Sequence, residues 1–269
     1  MNIPWSRIVS RYKQTGVRGI LSAINRRWHR PNEMLPEFRD WAHCFRNKYG
    51  LEIGGPSAIF GAGSLLPIYP LAACVDGFNF STSTVWEGSI QEGLHYVAGK
   101  KPGYQFIAEA TDLVKIPSAK YDFLLASHCL EHMANPLLAV QEWLRVLKGD
   151  GVIILVLPDR RGTFDHRRPV TAFSHLVRDR EMQTTEEDLT HLEEILALHD
   201  LALDPPAGNL AAFEKRSRAN FQNRCLHHHV FDLALMRELF DHFGFETMLT
   251  LSAKPYHLIA LGRKRNSTN

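Results

Sequence analysis

Between residues 51 and 157 the chain alternates short apolar runs with polar or glycine-bearing turns. The runs at 51–53, 72–75, 105–108, 123–126 and 152–157 are rich in Val, Ile and Leu, the pattern of strands covered on both faces, and they predict a parallel sheet. A helical period begins at Asn135, a good N-cap residue, followed by Pro136, whose missing N–H costs nothing in a first turn. Leu137, Val140, Leu144 and Leu147 form its core stripe, and Gly149 closes it ahead of the run at 152–157. Further helices are predicted at 185–199, opened by a Thr185 to Asp188 capping box, and at 233–243, capped by Asp232 and ended by Gly244. The runs at 245–251 and 257–261 read as two closing strands around Pro255.

The amino-terminal stretch is patterned differently. The first thirty residues hold seven Arg or Lys and no acid. Val17, Ile20, Leu21, Ile24 and Trp28 recur at helical spacing with Arg18, Arg26 and Arg27 on other faces, which predicts a basic amphipathic helix. Such a helix packs on its own domain, or on an anionic membrane surface or a partner. Pro31 and Pro36 then precede a short helix at 38–45. The expected division is a basic helical extension at 1–46 and one main domain at 47–269. Within the latter, residues from about 160 to 229 form a helical insertion after the fifth strand, too long for an ordinary connection and placed where a lid or acceptor-binding element would be.

Composition removes several function classes. A length of 269 residues suits one α/β domain with additions. A net charge of +2 lacks the strong positive field of a dedicated nucleic-acid binder, so no nucleic-acid partner is expected. Cys44, Cys74, Cys129 and Cys225 are scattered without a CxxC pair and imply neither a zinc site nor a disulfide framework. The longest apolar run, at 152–157, is far below the roughly 20 residues that cross a bilayer, and no secretory signal appears. A cytoplasmic protein is expected; nothing in the sequence sets its oligomeric state.

In an open parallel sheet the ligand sits beyond the carboxyl ends of the strands. Glu52, Gly54, Gly55, Pro56 and Ser57 surround the first end, Asp76 and Gly77 the second, and Glu109 to Asp112 the third. Ser127, His128, Glu131 and His132 follow the fourth, Pro158 and Asp159 the fifth. Recurring acids suit a nucleoside with little phosphate, because carboxylates accept from ribose hydroxyls and an adenine amino group but repel a diphosphate. Gly54 and Gly55 allow the backbone to approach that ligand.

These stretches together, LEIGGPS at 51–57, CVDG at 74–77, EATDLVKIP at 109–117, YDFLLASHCLEH at 121–132, the segment 135–151 and HHHVFDLALMRELFDHFGFE at 227–246, resemble the class I S-adenosylmethionine-dependent methyltransferases. The resemblance implies a Rossmann-like, seven-stranded, mostly parallel sheet with its last strand antiparallel and helices on both faces, and S-adenosylmethionine as methyl donor. It implies that Glu52 and the loop of Gly54, Gly55 and Ser57 lie under the donor, that Asp76, with Gly77, binds the ribose hydroxyls, and that Asp112 and Leu113 read the adenine edge. Ser127 and His128 would flank donor and acceptor. Pro56 and Ala58 depart from the family loop by standing where glycines are usual, which removes a backbone donor.

Methyl transfer from a sulfonium mainly requires alignment and exclusion of water. A small-molecule or glycan acceptor methylated at oxygen also needs a base, for which His128, Asp159 and His166 are the candidates in that order. Arg167 and Arg168 beside Asp165 form either an anion clamp or a structural ion pair. The insertion is rich in histidine, including His175, His191, His199 and the run 227–229, but no HExxH or paired ligand spacing appears, and no metal is expected. The competing readings are a nucleotide-dependent oxidoreductase, disfavoured because GAGSLL at 61–66 lacks a third glycine and a preceding strand, and a non-catalytic scaffold that kept the fold.

Overall fold

The computed structural model describes residues 34–98 and 101–266; the basic helix expected at 17–28 lies outside the described residues. Eight strands form one sheet: β1 Tyr49–Ile53, β2 Cys74–Asn79, β5 Gly93–Ala98, β6 Lys101–Ile107, β7 Tyr121–Ser127, β8 Leu147–Pro158, β9 Phe245–Ala253 and β10 His257–Lys264, in the order β5-β6-β2-β1-β7-β8-β10-β9. A separate small hairpin pairs β3 Ser83–Thr84 with β4 Gly88–Ser89. The five central strands are parallel, β10 runs antiparallel to β8, and β9 returns antiparallel to β10. All seven strands expected from the sequence are present. The eighth, β5, is an antiparallel edge strand beside β6, so the count of seven is corrected to eight.

Side-chain alternation divides the core. Leu124, Ala126, Ile153 and Leu155 face one layer, where they meet Leu137, Val140 and Trp143 of helix α2 and Leu235, Met236 and Leu239 of helix α7. Phe123, Leu125, Val152 and Ile154 face the other, packed against Phe38, Phe45, Phe60 and Tyr69. Of these helices, α1 is Phe38–Trp41, α2 Pro136–Val146, α3 Phe173–Glu181, α4 Leu192–Leu198, α5 Leu210–Arg218, α6 Asn220–Asn223 and α7 Leu233–His242. Two caps form as expected: Asn135 accepts from the Leu138 N–H at 3.1 Å and Asp232 from the Leu235 N–H at 2.8 Å. The helix expected from residue 185 starts later, at Leu192, and the stretch before it is turns. Trp143 is fully buried, and its indole N–H donates to the Ala110 carbonyl at 3.0 Å, which fixes the loop after β6 against α2.

The insertion carries a small core of its own, Ile195, Ala207, Phe213 and Leu226, and is joined to the sheet by Arg224, which reaches Glu109 after β6 at 2.7 Å. Among the described residues no helix is long and apolar enough to cross a membrane.

Candidate functional site

A cavity of about 870 Å³ opens over the carboxyl ends of the parallel strands. Its floor is Ile53, Gly54 and Pro56 to Ala58 at the end of β1, Phe78 to Phe80 at the end of β2, Glu109 to Thr111 after β6, and Ser127 to Cys129 at the end of β7. The insertion supplies the opposite wall through Phe164, Glu186, Asp204, Pro206, Arg216, Arg224, Cys225 and His227. Val85 and Trp86, from the turn between β3 and β4, form a half-exposed apolar lip. The volume lies in the upper part of the range of ligand sites and leaves room for two small reactants.

Gly54, Ser57, Ser127 and His128 line this cavity as the sequence suggests. Gly54 has a φ of +76°, and a Cβ there would come within 3.0 Å of Cys129 Sγ. Glu52 stands behind the loop. Its fully buried carboxylate accepts from the Tyr69 and Tyr96 hydroxyls, both at 2.5 Å, and from the Ser57 N–H at 3.0 Å. Burial raises its pKa even against these hydrogen bonds. Gly55 lies against that carboxylate, where a Cβ would meet Glu52 Cδ at 2.2 Å. Glu52 and Gly55 therefore shape the loop without lining the cavity.

The second strand corrects the sequence reading most. It runs on to Asn79, three residues past Asp76, so Asp76 lies inside the sheet beside Leu51 and not at the ligand end. Its carboxylate is taken by the Tyr121 hydroxyl at 2.7 Å, Lys120 Nζ at 3.1 Å and the Tyr104 N–H at 2.9 Å. Gly77 is required by packing, since a Cβ would lie 2.0 Å from the Tyr96 ring. Asn79 occupies the strand end and donates to the Gly55 carbonyl at 3.2 Å. Asp112 is also outside the cavity, exposed and accepting from the Val114 N–H, and Leu113 is fully buried in the core. The carboxylate that does reach the cavity from this side is Glu109.

Of the three base candidates only His128 lines the cavity. Its Nε2 lies 3.0 Å from His257 Nδ1, and burial, followed by His257 and His227, pulls its pKa down to about 3, which makes it a poor base. Asp159 is held by Arg161 at 2.6 Å, and that hydrogen bond lowers its pKa. His166 pairs with Asp200 at 2.9 Å near the surface. Neither lines the cavity. Arg168 resolves to the structural alternative: it is buried against Asp165 at 3.1 Å, Glu194 at 2.8 Å and the His227 and His228 carbonyls.

The structure supplies a pairing that sequence spacing conceals. His227 Nδ1 lies 2.5 Å from Asp165 Oδ2, across 62 positions, while His227 itself lines the cavity. Burial lowers the His227 pKa, but the charge and hydrogen bond of Asp165 outweigh it, and the net shift is upward. Asp165 falls to about 2, because burial is overcome by His227 and Arg168. Glu131, fully buried on the same wall, sits 3.7 Å from His128 and 3.9 Å from His132, and burial raises its pKa to about 7. TFDHRRP and the histidine run both stand out in the sequence, but nothing local shows that they meet.

Residues 61–155 match the family described as a methyltransferase domain. No curated protein matches the chain. Among solved structures, a SAM-dependent methyltransferase from Aquifex aeolicus is similar at 10% identity, covering 84% of this chain and 87% of that one with a TM-score of 0.44. One from Methanosarcina mazei is similar at 14% identity, covering 87% and 99%, with a TM-score of 0.44. The floor would suit the S-adenosylmethionine that the sequence motifs imply: a glycine admits close backbone approach, and Ser57, Asn79, Glu109 and Ser127 present polar groups from four strand ends.

Proposed function

We propose that the chain is a class I S-adenosylmethionine-dependent methyltransferase that methylates a hydroxyl oxygen of a small molecule or glycan, with His227 as general base and Asp165 as the residue that orients it. The observation that carries this reading is the buried Asp165–His227 pair opening on the cavity. Bound S-adenosylmethionine supplies a methyl group already activated on a sulfonium, so the protein's tasks are alignment, exclusion of water and removal of one proton.

Gly54, Ser57, Asn79 and Ser127 would hold the donor, and Glu109 takes the role of accepting from its hydroxyls. With Nδ1 engaged by Asp165, His227 has Nε2 left and would receive the acceptor's hydroxyl proton as the oxygen–methyl bond forms and the sulfur–methyl bond breaks, the donor leaving as a neutral thioether. The imidazolium so formed is stabilised by the Asp165 carboxylate and passes its proton to water when the product leaves. Phe164 and Pro206 close the wall above, and the Trp86 ring offers a flat apolar surface for the face of a sugar or aromatic acceptor.

The test supplies methyl-labelled donor with panels of sugars, phenols, amines and thiols. Label transferred to hydroxylated acceptors supports the reading; label found only on amines or thiols replaces it. Stabilisation by NAD without donor binding returns the oxidoreductase alternative.

Asp76→Ala separates the observed geometry from the expected one. Donor affinity measured by calorimetry stays within about 2-fold of the parent, while stability falls by about 1–3 kcal/mol because Tyr121 and the Tyr104 N–H lose their acceptor. A large loss of donor affinity with unchanged melting would return Asp76 to the binding site.

A further inference from the structure

Four side chains of the insertion converge apart from the cavity wall. His175 and Asp179 are one turn apart on α3, His191 directly precedes α4, and His229 lies in the extended segment before α7. One ring nitrogen from each histidine lies within 4.8 Å of the other two. His175 Nε2 and His191 Nε2 are 3.0 Å apart, and Asp179 Oδ2 is 3.4 Å from His175 Nε2 and 3.6 Å from His229 Nε2. Asp179 Oδ2 and His229 Nδ1 are both buried without a hydrogen-bond partner among the described residues.

Hydrogen bonding links His175 Nε2 to His191 Nε2 and brings His229 Nε2 to 3.5 Å from the Ala134 carbonyl, but it leaves Asp179 Oδ2 unaccounted for. A charge-assisted N–H to carboxylate bond closes to about 2.8 Å, yet this carboxylate oxygen is held between two imidazoles and bonds to neither. Ligand atoms at about 2.0–2.1 Å from a tetrahedral zinc ion are about 3.3 Å from one another, and the three separations bracket that figure. Three imidazoles and one carboxylate form a borderline donor set that suits zinc better than the oxygen-seeking calcium or magnesium.

We propose that His175, Asp179, His191 and His229 bind one divalent zinc ion in a closed, four-coordinate structural site. The ion would join α3 and the segment at 229, which pack on the main core through Leu176 and Phe231, to His191 beside α4, whose Ile195 belongs to the insertion's own small core. Its ligands are tied to the segment between β7 and α2 as well: Asn135 Nδ2 donates to the Asp179 carbonyl at 3.1 Å, and the His229 N–H donates to the Glu131 carbonyl at 3.3 Å. Thr184 Oγ1, 3.5 Å from Asp179 Oδ1, helps orient the carboxylate. Because His227 lies two residues before His229, the site would hold the segment that presents His227 to the cavity. The competing constellation, Glu131, His132 and His227, offers three donors and not four, and all three line the cavity that the reactants would occupy.

The test uses the full chain without a polyhistidine tag. Mass-spectrometric metal analysis is expected to find about one zinc per chain, and chelation to lower the melting temperature by roughly 5 °C, restored by zinc alone. Cobalt substitution should give the intense visible bands of a tetrahedral site. The double variant His175→Ala, His191→Ala should lose the metal, and His132→Ala should keep it. Absence of stoichiometric metal together with no effect of zinc on melting overturns the proposal, as does metal that survives in the double variant and is lost in His132→Ala. If the double variant does not fold, the parent's chelator-reversible melting and cobalt spectrum decide.

Discussion

Asp165→Asn will lower kcat by about 100-fold and move the acid limb of the pH profile to lower pH, with little change in KM for the donor. In the parent the base must be unprotonated, and His227 has a pKa raised above its ordinary value, so the rate climbs with pH through that elevated value. Removing the Asp165 charge leaves burial, which lowers the His227 pKa; more of the imidazole is then unprotonated at a given acid pH, but it is a weaker base and no longer fixed in one orientation. Arg168 keeps its bond to Glu194, which limits the structural damage. His227→Gln should fall at least as far and lose the acid limb altogether. Steady-state rates between about pH 5 and 9 decide the matter. A parent-like profile in Asp165→Asn would show that the pair is only structural.

The second large effect is on stability. Glu131 is fully buried, both its carboxylate oxygens are without hydrogen-bond partners among the described residues, and burial raises its pKa from 4.5 to about 7. Between those two values the folded chain binds a proton that the unfolded chain has released, so the contribution is full at low pH and disappears as pH rises through about 7. Glu131→Gln removes the ionisation and should match the parent near pH 4.5, the ordinary carboxyl value. By pH 8 it should exceed the parent by about 3 kcal/mol, an order-of-magnitude figure, or roughly 8 °C in melting temperature. Thermal melts of both proteins across this range measure it. A difference independent of pH would mean that the carboxylate is satisfied in the folded protein.

Much of the site's misassignment traces to one strand end. Asp76 and Gly77 carry the local marks of a turn, and on that basis the second strand stops at 75. The chain continues extended because Asp76 finds Tyr121, Lys120 and the Tyr104 N–H on neighbouring strands, and Gly77 makes room for Tyr96. Each of these partners is at least 19 residues away. The extra edge strand is hidden in the sequence for a related reason: Gly93–Ala98 follows β2 where a crossover helix is usual, and only its pairing with β6 makes it part of the sheet. GAG at 61–63 keeps its reading as something other than a dinucleotide loop, since it follows a 3₁₀ turn at Ala58–Phe60 rather than a strand.

By itself the sequence determined the alternation of buried strands with helices, the caps at Asn135 and Asp232, and the length of the insertion after the fifth strand, and it carried the motifs on which the resemblance to methyltransferases rests. These follow from hydrophobic period and turn chemistry, which act over a few residues. Tertiary structure decided which acids reach the cavity, that Asp165 pairs with His227, and that histidines from three separate stretches meet around Asp179. A side chain's partners across a sheet or a lid are chosen by the packing of segments tens of residues apart, and no local pattern carries that choice.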